Sequence, residues 1–422
     1  MFWWTLQDVS TSLKRSTRRN NSVDFNYLIP LFSYRGIFFS MNQIVFYSTP
    51  GLEEGFYPFS LTRSVADLRL GALTIREKWE LALPLKSKPD PAIHTKEDFQ
   101  PGHGDLVIPA NVLPNPGLVR KIAELRPGQA IRIRDRTEMI YLCAGSRASD
   151  QRNNSHDIVA ALEATALNYP WDLVKHNASA IADDVEVLQE SRTFQNIPKS
   201  NWFHREKDIW IEQDASVNMC LIDTTDGPVY ISNGALVMEG SMIKGPVFIG
   251  KNAVVKMGTR IYGGTTVGPF CTVGGEIKNS IMFAFSNKAH DGYLGDSVIG
   301  EWCNLGAGTT NSNIKNNAST VRIWNNGEYR EAGQKAGMFM GDYSKTAINS
   351  SINTGTVIGV CANVFGAGLL PKHIASFSWG SDGRQRYQLE QALRDIEAWM
   401  KLKHQAITAE ATNSLKFIFD NL

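Results

Sequence analysis

Residues 231–273 read ISNGALVMEGSMIKGPVFIGKNAVVKMGTRIYGGTTVGPFCTV. Every sixth residue from Ile231 gives Val237, Ile243, Ile249, Val255, Ile261, Val267 and Val273, an unbroken series of aliphatic β-branched side chains. Four positions after each stand mostly small or compact residues: Ala235, Ser241, Val247, Ala253, Thr259, Thr265 and Cys271. A period of six fits neither the 3.6-residue turn of a helix nor the alternation of a strand, but it suits a triangular solenoid with one six-residue unit per side. The branched side chain fills the interior and the small one lets the corner turn. The reading predicts a left-handed parallel β-helix of hexapeptide repeats over residues 201–380.

Working outward, the register resumes at Ile299 and Leu305 and again at Ile358 and Val364. Residues 279–298 and roughly 316–340 are therefore expected to leave the solenoid wall as loops or an added hairpin, the kind of insertion that commonly forms a binding face. Leu389, Leu393, Ile396 and Met400 share one stripe of a helix expected from Ser381 or Asp382, within a helical cap spanning residues 381–422. That helix either covers the open end of the solenoid or packs on its side. Upstream, short apolar runs alternate with helical patterns from Met41 to about Ser200, as at Ile44–Tyr47 and Val65–Leu83, which suggests an α/β domain over residues 41–200.

In residues 1–40 a basic stretch around Lys14, Arg15, Arg18 and Arg19 precedes an apolar run, Tyr27 to Phe39. Pro30 and Arg35 interrupt that run, so an upstream extension or disordered tail is preferred over a targeting signal, and no membrane insertion is expected. Forty-three basic against 42 acidic residues leave a net charge of +1, with no global pull toward nucleic acid or an anionic membrane. An anionic ligand must then be held by local groups. The cysteines Cys143, Cys220, Cys271, Cys303 and Cys361 lie too far apart for paired-thiol motifs, which fits a reducing cytoplasm.

Only one histidine lies between the first and last repeats of the ladder, His290 in NKAHDGYLGD at 287–296. A neutral imidazole is suited to taking the proton from an ammonium group during acyl transfer to an amine. A solenoid carbonic anhydrase is excluded, because its zinc would need about three histidine ligands.

The stretch from Arg260 to Asn313, with Tyr-Leu-Gly-Asp at 293–296 and Asn-Leu-Gly-Ala-Gly-Thr at 304–309, resembles the acetyltransferase domain of the bacterial bifunctional enzyme that makes UDP-N-acetylglucosamine. The similarity extends to a variant branch of that GlmU family through Lys-Met-Gly before Arg260, His-Asp-Gly at 290–292 and Ser-Phe-Ser-Trp-Gly at 376–380. The resemblance implies a nucleotidyltransferase-like amino-terminal domain, a homotrimer with acetyltransferase sites between subunits, and a role in UDP-N-acetylglucosamine or cell-envelope sugar-nucleotide synthesis. It makes His290 the general base and Glu276 its orienting carboxylate. It puts Arg260 and Lys278 at the substrate phosphate, Tyr293 and Asn304 at the sugar, and Asn313 at the attacking amine. The family commonly has an aromatic residue where this chain has Ile314. Gly366 and Ala367 would approach the pantetheine arm of acetyl-CoA, and Lys372 and His373 its phosphates. In the amino-terminal domain the family's glycine-rich loop is replaced by Pro58-Phe59-Ser60-Leu61-Thr62-Arg63. Arg63 and Lys78 are the candidate nucleotide contacts there, and Asp105 the ligand for Mg2+ if that domain is active.

The leading expectation is acetyl-CoA-dependent N-acetylation of glucosamine-1-phosphate or a related amino-sugar phosphate or nucleotide, with UTP-dependent nucleotidyl transfer as a second activity. Two alternatives stay open: a nucleotidyltransferase whose solenoid only drives assembly, and a non-catalytic solenoid that binds sugar nucleotides.

Overall fold

The computed structural model describes residues 41–49, 51–88, 101–144 and 157–421. The reading of residues 1–40 lies outside them. The amino-terminal part is a mixed five-stranded sheet ordered Ile44–Tyr47, Leu106–Pro109, Met139–Leu142, Gln129–Ile133, Asp157–Leu162. Its first and last pairs are parallel and the middle ones antiparallel. Within Val65–Leu83 only Ile75–Ala82 is α-helical. Gly71, at φ +73°, turns the preceding residues into a two-stranded hairpin, and a Cβ there would meet Asp184 Oδ2 at 2.5 Å.

From Trp202 the chain winds into a parallel β-solenoid whose walls contain ten, six and nine paired strands, the tenth of the first being the antiparallel Gln385–Arg386. The aliphatic ladder fills its interior: Val237, Val255 and Val273 stack directly on one wall, and Ile249 and Val267 on another, all essentially buried. The compact residues Ala235, Ala253, Thr259, Thr265 and Cys271 are buried too, but they do not make the corners. The residue before each does, in the left-handed conformation: Gly234, Asn252, Gly258, Gly264 and Phe270 all have φ between 54° and 75°. An aromatic residue rarely adopts that conformation. Here it recurs at Phe270, Phe285 and Trp302, whose rings stack in a column outside the solenoid at 4.8 and 4.3 Å.

The expected departure at 279–298 does not occur. Val255 pairs with Val273 eighteen residues on, Val273 with Lys288 fifteen on, and Asn287 with Asn304 seventeen on. The coil stays in the wall and is shortened, so the six-residue count fails while the solenoid continues. The second expected insertion is real: Arg322–Asn325 and Glu328–Glu331 form an antiparallel hairpin. One side of it packs on the amino-terminal domain, while Arg322, Glu328 and Tyr329 stay exposed. Trp324 packs edge-on against Tyr57 at 5.1 Å, and Asn325 Nδ2 donates to Gly55 O at 2.9 Å.

The two parts of the chain share one apolar core. Ile281, Phe283, Val298, Phe339 and Val357, from the outward face of the nine-stranded wall and its corner, join the cluster that includes Phe59, Leu68 and Trp79. Helix Pro170–Ser191 lies on the same wall. Proline at its first turn and Asp172, which accepts from the N–H groups of Asn168 and Tyr169, start the helix. Its buried Asn177 donates to Gly264 O at 2.7 Å and accepts from Gly71 N at 2.7 Å, tying solenoid to sheet domain.

The carboxy-terminal helix begins at Leu389, because Gln385–Arg386 first pair back on Ser378–Trp379. With a second helix, Ala409–Asp420, it packs on the side of the solenoid against Val360, Cys361 and Phe377. Among the described residues no helix is long and apolar enough to cross a membrane, and all five cysteines are free and buried.

Arg63 closes the contact between domain and solenoid. Its guanidinium pairs with Asp342 and, at 2.9 Å, with Glu301. Burial opposes the charge, but the two carboxylates outweigh it and hold the arginine's pKa above its ordinary value. Removing one partner of a buried pair strands the other's charge, so Asp342→Ala is expected to cost about 3 kcal/mol in urea denaturation, more than Glu301→Ala at the more exposed end.

Candidate active site

The six-stranded wall presents Arg260, Glu276 and Tyr293 outward in direct register on three successive coils. Adjacent strands lie about 4.8 Å apart, so these side chains form a row of about 10 Å. Arg260 Nε and Glu276 Oε2 are 3.6 Å apart across an exposed pair. Lys278 lies two residues further along the same strand, its Nζ 5.8 Å from the centre of the Tyr262 ring. Two cations and a carboxylate thus share one solvent-facing surface.

Asn313 reaches the row from the coil beyond. Its Nδ2 donates to the Tyr293 hydroxyl at 3.0 Å and to Asp296 Oδ2 at 2.5 Å, while Asp296 Oδ1 accepts from Asn279 at 2.7 Å. Burial, with Asp296 and Glu276 nearby, pushes the Tyr293 phenol up to about 12, so it stays a neutral donor at physiological pH. Asp296 is a residue the sequence reading quoted in Tyr-Leu-Gly-Asp without giving it work. Its carboxylate fixes the amide of Asn313 and is itself buried.

His290 stands at the corner between strands Asn287–Lys288 and Tyr293–Gly295, and its side chain is exposed. The corner rests on Gly274 and Gly275. A Cβ at Gly275, which has φ +75°, would meet His290 O at 3.0 Å, and one at Gly274 would meet Ala289 O at 2.5 Å. Glu276 follows these glycines directly, yet its carboxylate turns to Arg260.

Beneath His290 lies a residue that sequence reasoning missed. Lys288 occupies the inward position of the ladder, stacked on Val273, and is 2% exposed. Its Nζ donates to His290 O at 2.7 Å and to Gly274 O at 3.1 Å. Burial lowers its pKa to about 8, with Asp291 opposing and Arg260 reinforcing the shift. The signal in the sequence was a lysine in an aliphatic slot, visible only once the shortened coil is recognised.

Asn304 lies on a different wall, outward between Asn287 and Lys345, so one chain does not bring it to the Arg260 row. Gly366 and Ala367 are exposed in the last coils. Lys372 lies near Lys315 and Arg322, and burial together with those two cations lowers its pKa, a cluster suited to a polyanion. His373, expected beside it at a phosphate, stacks instead on Trp324 at 3.6 Å and 14°, and burial holds its pKa down. A neutral, stacked imidazole offers a phosphate little.

The amino-terminal candidates are engaged by protein groups. Arg63 holds Asp342 and Glu301, and Lys78 holds buried Asp184. Asp105 is buried and accepts from Gly102 N at 2.8 Å and Gln43 Nε2 at 3.2 Å. Among the described residues no group of three or more His, Cys, Asp or Glu side chains converges to hold a metal.

Residues 44–193, about a third of the chain, match the family model described as sugar nucleotidyl transferase. The chain is 36% identical over 91 residues to a bifunctional sugar-1-phosphate nucleotidylyltransferase/acetyltransferase of Sulfurisphaera tokodaii, covering 21% of this chain and 23% of that protein. It is 36% identical over 84 residues to the bifunctional protein GlmU of Methanocaldococcus jannaschii, covering 20% and 21%. The chain thus spans under a quarter of the length of these relatives, and the likeness is GlmU-like but partial. Among solved structures, a Francisella novicida UDP-N-acetylglucosamine acyltransferase aligns with TM-score 0.25 and 16% identity over 54% of this chain and 87% of that one.

The lysine in the ladder makes stability depend on pH in a defined direction. With a folded pKa of about 8 against an ordinary 10.5, the unfolded chain binds the extra proton between those values, so stability rises with pH across the window. The stability of wild type relative to Lys288→Met should therefore increase by about 2 kcal/mol from pH 8 to 10.5 in parallel urea titrations, and stay level from pH 6 to 7.5.

Proposed function

We propose that this GlmU-like chain is an N-acetyltransferase that moves an acetyl group from acetyl-CoA to the amine of glucosamine-1-phosphate or a related amino-sugar phosphate. The observation that carries the reading is the in-register row Arg260, Glu276, Tyr293 beside the His290 corner. Arg260 and Lys278 take the phosphate, the guanidinium through paired hydrogen bonds and the ammonium as a point charge. Tyr293 and Asn313 meet the sugar and hold its amine toward His290.

The chemistry then needs little more than placement. The ammonium gives one proton to solvent, the neutral amine nitrogen attacks the thioester carbonyl carbon, and as the C–N bond forms His290 Nε2 or Nδ1 accepts the second proton from that nitrogen. The carbonyl oxygen carries the transient negative charge, which a backbone N–H at residue 314 neutralises without needing an aromatic side chain there. Collapse breaks the C–S bond, and the thiolate leaves with the proton from the imidazolium. Lys372, with Lys315 and Arg322, is the reading's anchor for the phosphates of the donor, and Gly366 and Ala367 its contact with the pantetheine arm. Five buried free thiols support a reducing, cytoplasmic setting.

The separation of Asn304 from the Arg260 row supports assembly into a homotrimer, in which the wall bearing Asn304 on one chain faces the row on the next. Trp202, Leu221 and Met242, exposed beside Arg260 along a groove of about 460 Å3, support an apolar contact there. Replacing a general base typically costs 10²–10⁴-fold, so His290→Ala should lower coenzyme A release with glucosamine-1-phosphate at least about 100-fold with an unchanged melting temperature. Unchanged turnover would remove His290 from the reaction. Chains carrying His290→Ala and chains carrying Asn304→Ala, co-assembled, should recover about a quarter of wild-type turnover if sites form between subunits, and none if each chain is self-contained.

The match of residues 44–193 favours a second reading for the amino-terminal domain, transfer of a uridylyl group from UTP to a sugar-1-phosphate. Magnesium-dependent pyrophosphate release with N-acetylglucosamine-1-phosphate tests it.

A further inference from the structure

Lysine is almost never fully buried without a charged partner, and a solenoid interior lined by valine and isoleucine is an unfavourable place for an ammonium group. Lys288 nevertheless takes the ladder slot between Val273 and the next coil, where every earlier member of its column, Val217, Val237, Val255 and Val273, is valine. An aliphatic residue would fill that slot at lower cost. What the amine gains is specific: both its hydrogen bonds go to main-chain carbonyls, Gly274 O on the coil below and His290 O on its own coil.

These two carbonyls bracket one feature. Gly274 begins the glycine pair on which the His290 corner rests, and His290 O belongs to the peptide that sets the direction of the imidazole. The glycine corner beneath it is the shortened one, since Val273 to Ile277 is a step of four residues where Val255 to Ile261 and Lys288 to Leu294 are steps of six, so the full-length His290 corner cannot copy the hydrogen bonds of the corner it rests on. From these observations we infer that Lys288 is a positioning residue, which pins the His290 peptide from inside the solenoid to the Gly274 corner and so aims the exposed imidazole along the Arg260–Glu276–Tyr293 row. It touches no substrate. Asp291 and Arg260 are the charged neighbours acting on it, and a lowered pKa keeps a part of the population neutral near physiological pH, which eases its burial.

The inference rests on the proposed role of His290, and the experiment separates the two. Lys288→Met keeps the length and apolar stem while removing the donor. Hydrogen–deuterium exchange of peptides covering residues 289–293 should accelerate at least tenfold in the variant, with exchange in residues 229–261 unchanged. Coenzyme A release should fall at least tenfold in kcat, with KM for both substrates within about threefold and cooperative unfolding retained. Loss of a merely structural residue would instead lower activity in proportion to the folded fraction. Exchange over 289–293 equal to wild type overturns the inference whatever the activity, as does wild-type kcat in Lys288→Met when His290→Ala is inactive. If His290→Ala keeps its turnover while exchange still accelerates, the base assignment fails and the pin to the corner stands. Lys288→Gln, which retains a shorter donor, provides the same comparison should the methionine variant fail to fold, with exchange intermediate between wild type and a donorless side chain.

Discussion

In a parallel solenoid each coil must lay its inward side chains on those of the coil beneath and its main-chain groups on the neighbouring strands. That condition fixes the interior as aliphatic columns and forces every wall position to repeat along the axis. Side chains that point outward inherit the same alignment. Arg260, Glu276 and Tyr293 stand in a row because Ile261, Ile277 and Leu294 stack behind them. The geometry of the candidate site is therefore a by-product of core packing, and its precision comes from strands rather than loops.

The nine-stranded wall goes further, since both its faces are covered. Inward it meets the ladder, and outward it meets helix Pro170–Ser191 and the apolar core of the sheet domain. Strands covered on both sides read as continuous apolar or compact runs, as Val247-Phe248-Ile249 and Thr265-Thr266-Val267 do. Polar ties then set the alignment of the two parts: Asn177 between Gly71 and Gly264, and Arg63 between Asp342 and Glu301, while Lys78 with Asp184 fixes the helix within the sheet domain. Arg63, a candidate nucleotide contact in the amino-terminal sequence, is one of the residues that does this joining.

The solenoid was legible because its period is strict where coils are eighteen residues long, and the α/β character of residues 41–200 followed from alternation alone. His290 was singled out as the one histidine within the ladder, and Arg260, Glu276 and Tyr293 through the resemblance, but their standing in one row beside a wall corner was not read from spacing. What stayed hidden has common physical causes. A fixed count of six cannot follow a coil that loses residues at its turns, so residues 279–298 looked like an excursion and Lys288 was given no place in the ladder. The hairpin at 322–331 was visible as an interruption, but its partner, Tyr57 and Gly55, lies some 270 residues away and leaves no local trace. His373 beside Lys372 read as a phosphate contact for the same reason, since Trp324 reaches it only through the fold.

Uniform repeats carry a hazard that the shortened coil removes. If every coil had the same length and the same valine column, a strand could pair one coil too early or too late with almost no loss of contacts, and the chain could settle into shifted windings. A fifteen-residue coil carrying an amine in the column fits the coil beneath it best, since a slip would move that amine from Gly274 O to a corner whose carbonyl, Lys256 O, already accepts from Ser241 and Thr259. The irregularity at the candidate site thus also serves as the key that assigns each turn of the spring its number.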